Sequence, residues 1–114
     1  MLRGDVWLIN LSPTLGAEMQ KTRPAVIVND DEVGVLPLKV IVPITDWKDR
    51  YAQAPWMVRL DPSPENGLLK ASTADAFQVR SVSEHRFVTR LGSLPPENME
   101  AIGNALKAVL KLQP

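Results

Sequence analysis

The side chains from Asp5 to Leu11 divide between two alternating faces, with Val6 and Leu8 on one and Trp7, Ile9 and Leu11 on the other. This period of two predicts a strand, and apolar residues on both faces predict that it is central and covered on each side. Ser12 to Thr22 holds Pro13, Gly16 and several polar residues without periodicity. It predicts a loop longer than the roughly two to five residues of a hairpin turn, and loops of that length are often functional. Pro24 to Asn29 and Leu38 to Ile44 are rich in Val and Ile and predict two buried strands, separated by Asp30, Asp31, Glu32, Gly34 and Pro37. Trp56 to Leu60 predicts a shorter strand, Asp61 to Gly67 a turn-rich connection and Leu68 to Ala71 a brief apolar segment. Phe77 to Val82 and Phe87 to Leu94 complete the sheet.

From Pro95 the period becomes helical, with Met99, Ile102, Leu106, Val109 and Leu110 on one face that should dock on the sheet. Pro95 and Pro96 suit a first turn that needs no amide donor. Glu97 and Glu100 favour the positive end of the helix dipole, and Lys107 and Lys111 the negative end. Gly103 costs about 1 kcal/mol relative to alanine in a helix, which close packing of another backbone would explain. The expected fold class is mainly β with helices (α+β). It is a small barrel or strongly curved sheet with a C-terminal α-helix, in one domain over residues 1–114.

Composition narrows the chemistry. Hydrophobic residues make up 45% and charged residues 23% of the chain, which fits a folded globular domain. The 13 basic and 13 acidic side chains cancel, so a polyanionic partner requires a local patch. The absence of cysteine excludes disulfides, thiolate zinc sites and cysteine nucleophiles. With His85 the single histidine, a two-histidine acid/base pair and an HExxH zinc site are excluded within one chain. No apolar run reaches the roughly 20 residues of a membrane span, and the first residues lack a signal-peptide core, so the cytoplasm is the expected compartment. Asp30-Asp31-Glu32 is the one dense acidic cluster, but it matches no ligand spacing and reads as a solvated loop tip. No Walker loop, dinucleotide fingerprint or nucleophile elbow occurs, and neither a metal nor a cofactor is expected.

Three polar groups carry candidate chemistry. Arg23, in Lys21-Thr22-Arg23-Pro24, stands where a long loop meets a buried strand, a location suited to holding an anion. A structural pairing with Glu18 is the competing reading. Thr45 ends the Val42-Pro43-Ile44 strand, where its hydroxyl either reaches a groove or caps the strand. Gln78 and Arg80 share a face if their segment is a strand, a face that could read a base edge and a backbone. Trp47 either stacks on a base or covers the barrel end, and His85 reads as a surface residue.

Three segments bring these residues into a larger pattern: Arg3-Gly4-Asp5-Val6-Trp7, Pro13-Thr14-Leu15-Gly16-Ala17-Glu18 and Lys21-Thr22-Arg23-Pro24-Ala25-Val26. They are followed by Val42-Pro43-Ile44-Thr45, by Ala74-Asp75-Ala76-Phe77-Gln78-Val79-Arg80-Ser81-Val82 and by Leu91-Gly92. In this order the chain closely resembles the MazF/PemK family of toxin endoribonucleases over nearly its whole length. The resemblance implies a small SH3-like barrel working as a homodimer, with a groove for single-stranded RNA along the subunit interface. It implies metal-independent cleavage in which the substrate's own 2′-hydroxyl is the nucleophile, leaving a cyclic phosphate and a free 5′-hydroxyl.

Carried onto this chain, the resemblance implies that Arg23 and Thr45 are catalytic. Arg23 would stabilise developing charge and assist proton transfer, and Thr45 would hold a nonbridging phosphate oxygen. Glu18, Lys21, Gln78 and Arg80 would contact RNA. Phe77 stands where several relatives have an acidic residue, and Asp75, on the same alternating face if the segment is a strand, is the substitute considered for proton transfer. The resemblance also implies a cognate antitoxin whose flexible, often acidic tail lies across the groove. Two rival readings keep the fold: a toxin that poisons DNA gyrase by binding protein, and a noncatalytic module prompted by Phe77.

Overall fold

The computed structural model describes residues 1–13, 15–18, 21–34 and 36–112. Thr14, Met19 and Gln20 of the predicted Ser12 to Thr22 loop, and Gln113 and Pro114 at the end of the predicted helix, lie outside the described residues. The strands are β1 (Asp5–Asn10), β2 (Thr22–Ile27), β3 (Leu38–Asp46), β4 (Met57–Leu60), β5 (Ser72–Asp75), β6 (Arg80–Ser83) and β7 (Phe87–Ser93). The helix α1 (Pro96–Leu110) follows them, and short 3-10 turns occupy Asp49–Gln53, Ala76–Gln78 and Glu84–Arg86.

The sheet is antiparallel, with neighbours in the order β4-β5-β3-β2-β1-β7. β1 lies between β2 and β7, as its two apolar faces predict. β3, nine residues long, pairs with β6 through Leu38–Ile41, with β2 through Ile41–Pro43 and with β5 through Ile44–Asp46. It is the spine to which both parts of the sheet attach. The end strands β4 and β7 are joined by the connection that leaves β4, because Ser93 N–H donates to the Glu65 carbonyl at 2.8 Å. Two glycines permit this closure. A Cβ on Gly92 would collide with the Glu65 carbonyl oxygen, and one on Gly67, whose φ is +69°, with the Leu91 carbonyl oxygen.

Alternation along β1, β2 and β3 sorts their side chains into two cores. Val6 stands opposite Val26, and Val26 opposite Val42. This row joins Ile44, Leu60 and Ile102 in a cluster that α1 covers. Ile9, Leu11, Ala25, Ile27, Ile41 and Val82 form the second cluster, with Trp7 and Phe87 packed against it. α1 rests on β4 and the Ala76–Gln78 turn through a face that buries Ile102 and Ala105, with Met99 and Leu106 alongside.

Several expectations fail for identifiable reasons. The brief apolar segment Leu68 to Ala71 buries Leu68 but leaves Leu69 96% exposed, and it is not itself a strand. The strand in that region is Ser72–Asp75, whose small side chains are all buried between β3 and β4, so it shows no alternation. Phe77 to Val82 is not one strand. The Asp75 carboxylate accepts the Phe77 N–H at 3.1 Å and starts a 3-10 turn, and β6 begins only at Arg80. α1 ends at Leu110, which is exposed, so Leu110 is not part of the docking face. A Cβ on Gly103 would meet nothing within 4 Å, so close packing of another backbone within this chain does not explain that glycine. The acidic cluster, by contrast, is the exposed loop its sequence predicts, with Asp30 accepting the Glu32 N–H and Asp31 the Arg3 N–H.

Candidate active site

β2 and β3 pair with Ala25 opposite Pro43, and extending that register two residues sets Arg23 opposite Thr45. Directly opposed residues project from the same face of an antiparallel pair. The Arg23 guanidinium accordingly donates to Thr45 Oγ1 at 3.2 Å, joining the two candidate catalytic residues. Both line a cleft of about 600 Å³ together with Lys21, Asp46, Lys70 and Ser72.

The loop entering this cleft is held at its base. Leu11 N–H donates to the Lys21 carbonyl at 2.9 Å, and Lys21 N–H donates to Ser12 Oγ at 2.8 Å. Arg86 donates to the Asn10 and Ser12 carbonyls from the neighbouring 3-10 turn. Lys21 takes a left-handed φ of 69°, a conformation costing about 1–2 kcal/mol for a residue with a Cβ. The Lys21 backbone is thus held beside the cleft that this residue lines. Glu18 is engaged within its own loop, with Oε1 accepting the Leu15 N–H at 2.8 Å.

Glu18, Gln78 and Arg80 belong to a second cleft, of about 550 Å³, lined also by Ala17, Pro43 and Phe77 among others. The loop between β1 and β2 and the strand β3 contribute to both clefts. Gln78 and Arg80 therefore do share a surface, through the 3-10 turn and not through strand alternation.

Asp75 and Phe77, expected on one face, occupy opposite environments: Asp75 is 5% exposed and Phe77 is 65% exposed. Asp75 accepts from the Phe77 N–H and, at 3.2 Å, from Gln78 Nε2, and it lines neither cleft. Burial raises its carboxyl above the usual value, with the hydrogen bonds from Phe77 and Gln78 opposing that rise. Its carboxylate holds the Phe77 N–H and the Gln78 side chain in place.

Sequence reasoning missed Asp46 and Lys70. Lys70 Nζ pairs with Asp46 Oδ2 at 3.1 Å at the rim of the first cleft. No spacing links these residues, and only the pairing of β3 with β5 brings their segments together. Beyond Asp46, half-buried Trp47 meets Arg59, 5.1 Å from its ring centre, and packs edge-to-face against Tyr51, with ring centres 6.1 Å apart. Among the described residues no three His, Asp or Glu side chains are grouped as a metal site.

Residues 2–110 match the family described as PemK-like, MazF-like toxin of type II toxin-antitoxin system. The chain belongs to that family. Among curated relatives of this MazF-like chain is the endoribonuclease MazF of Staphylococcus saprophyticus, 32% identical over 98% of this chain and 92% of that protein. In fold, it is similar to the crystal structure of MazF from Deinococcus radiodurans, with a TM-score of 0.80 at 22% identity over 98% and 97% of the two chains. It is also similar to a mycobacterial endoribonuclease solved in complex with its cognate antitoxin, with a TM-score of 0.75 at 22% identity over 99% and 97%. The mostly antiparallel β fold with a C-terminal helix is the MazF fold. Among the described residues no helix is long and apolar enough to cross a membrane.

Proposed function

We propose that this chain is a cytoplasmic, sequence-specific endoribonuclease toxin that cuts single-stranded RNA without a metal and is neutralised by a cognate antitoxin. The observation that carries this reading is the 3.2 Å bond between Arg23 and Thr45 inside a cleft, in a chain of the MazF-like toxin family. In this mechanism the substrate supplies its own nucleophile. The 2′-oxygen forms a bond to phosphorus and loses its proton, and the 5′-oxygen leaves and takes up a proton. The products are a 2′,3′-cyclic phosphate and a 5′-hydroxyl.

The protein then needs to align the phosphate and stabilise a dianionic phosphorane. Arg23 suits the second task because its planar, permanently charged guanidinium pairs with two phosphate oxygens at once. Thr45 Oγ1 accepts from Arg23, so its own O–H points elsewhere and can donate to a nonbridging oxygen. Asp46 is the carboxylate lining this cleft, and it takes the role of proton acceptor that Asp75 does not fill. Lys21 meets the phosphate backbone at the mouth, and Gln78, Arg80 and Glu18 contact the adjoining nucleotides in the second cleft. Two such chains form a homodimer, and an acidic antitoxin segment competes with RNA for Lys21, Arg23 and Arg80.

The test is incubation with long single-stranded RNA and with DNA of the same sequence in EDTA, alongside Arg23→Ala and Asp46→Asn, with product ends mapped. Specific cuts bearing cyclic phosphate, absent on DNA and lost with Arg23→Ala, are expected. Intact RNA from several unrelated sources would overturn the reading and favour a protein-targeting toxin.

A further inference from the structure

Phe77 is an aromatic ring set in the open, 65% exposed on the wall of the second cleft. Trp56, 37% exposed, stands beside it with ring centres 6.0 Å apart and planes inclined at 65°. An edge-to-face pair of this kind leaves a face of Phe77 and part of Trp56 as one contiguous aromatic surface, the kind of patch that marks a contact site. The pair is also firmly placed. Asp75 holds the Phe77 N–H, Ala76 N–H donates to the Trp56 carbonyl at 3.0 Å, and α1 packs against the turn carrying Phe77.

We propose that the Phe77–Trp56 pair is a base-stacking platform that selects one nucleotide of the RNA substrate. The proposal rests on the ribonuclease reading above and adds a specificity element to it. The surroundings favour a nucleotide over an apolar partner. Gln78, which donates and accepts, and Glu18, an acceptor, line the same cleft and match the mixed hydrogen-bonding edge of a base. Arg80 supplies a charge for its phosphate. A base stacked on Phe77 presents its edge to these groups, so the ring contributes affinity and the polar side chains contribute choice.

The test measures two properties for Phe77→Leu, Phe77→Tyr and Trp56→Leu. The first is the map of cut sites in a random-sequence RNA pool. The second is affinity for a fluorescein-labelled single-stranded RNA carrying the wild-type cut sequence, measured in an Arg23→Ala background that leaves the RNA intact. Phe77→Leu should weaken binding about tenfold or more and blur base preference at one position near the cut, while Phe77→Tyr retains both. Wild-type cleavage with unchanged binding and cut sites in Phe77→Leu would overturn the platform and leave the ribonuclease reading standing. Loss of the dimer in Phe77→Leu, seen by sedimentation, would make the pair a subunit contact and overturn the platform. If the wild-type protein cuts no RNA in the pool, the ribonuclease reading fails and the platform falls with it.

Discussion

The Arg23 guanidinium donates to Thr45 Oγ1, and the β2–β3 register holds the two residues opposite one another. Their roles nevertheless separate by substitution. Arg23→Lys keeps the charge but loses the planar fork, so cleavage should fall about 100-fold or more, as when one oxyanion donor is removed. Thr45→Val keeps the shape and removes one hydroxyl, which should cost about 10- to 100-fold. Single-turnover cleavage rates check both. Near-equal rates for Thr45→Val and wild type would assign Thr45 to strand capping.

Asp75 predicts a pH dependence with a definite sign. Its carboxyl is raised above 3.8 by burial, against the hydrogen bonds from Phe77 and Gln78. Between 3.8 and the raised value the folded chain holds a proton that the unfolded chain has released, so this residue's contribution to stability falls as pH rises through that window. Asp5 behaves oppositely. Burial opposes its ionisation, but the Leu2 N–H, Arg90 and the N-terminal ammonium outweigh burial and lower its carboxyl, so its contribution is lost as pH falls below about 3.8. Urea midpoints at several pH values above 4 should therefore decline less with pH in Asp75→Asn than in wild type. Parallel curves would show that Asp75 does not titrate in this range.

The closure of the sheet should be intolerant of a single methyl group. A Cβ on Gly92 meets the Glu65 carbonyl and neighbouring backbone of Asn66, not a side chain that can turn aside. Gly92→Ala should destabilise the fold by about 1–3 kcal/mol, toward the upper end because backbone must move. Urea unfolding measures this, and an unchanged midpoint would show that the connection after β4 is not tied to β7 in solution.

What was legible in the sequence follows burial. β1, β2 and β3 are rich in Val, Ile and Leu and announce themselves. β5 does not, because Ser, Thr, Ala and Asp are buried there by tight packing between two strands, with Thr73 Oγ1 turned to Met57 Sδ at 3.5 Å. The Ala76–Gln78 turn is hidden because Asp75, Phe77 and Val79 alternate as a strand would, while a side-chain acceptor sets the backbone. Arg23 and Thr45 were visible as individual candidates and through the family resemblance, but spacing alone left both with structural readings. Their contact is a property of strand register. Asp46 and Lys70 join only through the β3–β5 pairing and carry no local pattern.

Gly103 supplies a test that reaches beyond one chain. It sits inside α1 with nothing within 4 Å of where its Cβ would lie, so within the monomer it gains nothing from lacking a side chain. Helix propensity then dictates that Gly103→Ala stabilises the fold by up to about 1 kcal/mol. Denaturation of the dilute protein, paired with sedimentation over a concentration series, checks this. A higher midpoint with unchanged assembly is expected if α1 faces solvent in the proposed dimer. A weakened dimer would instead show that the partner subunit approaches α1 at Gly103, since a methyl group that meets nothing within its own chain can interfere only with another.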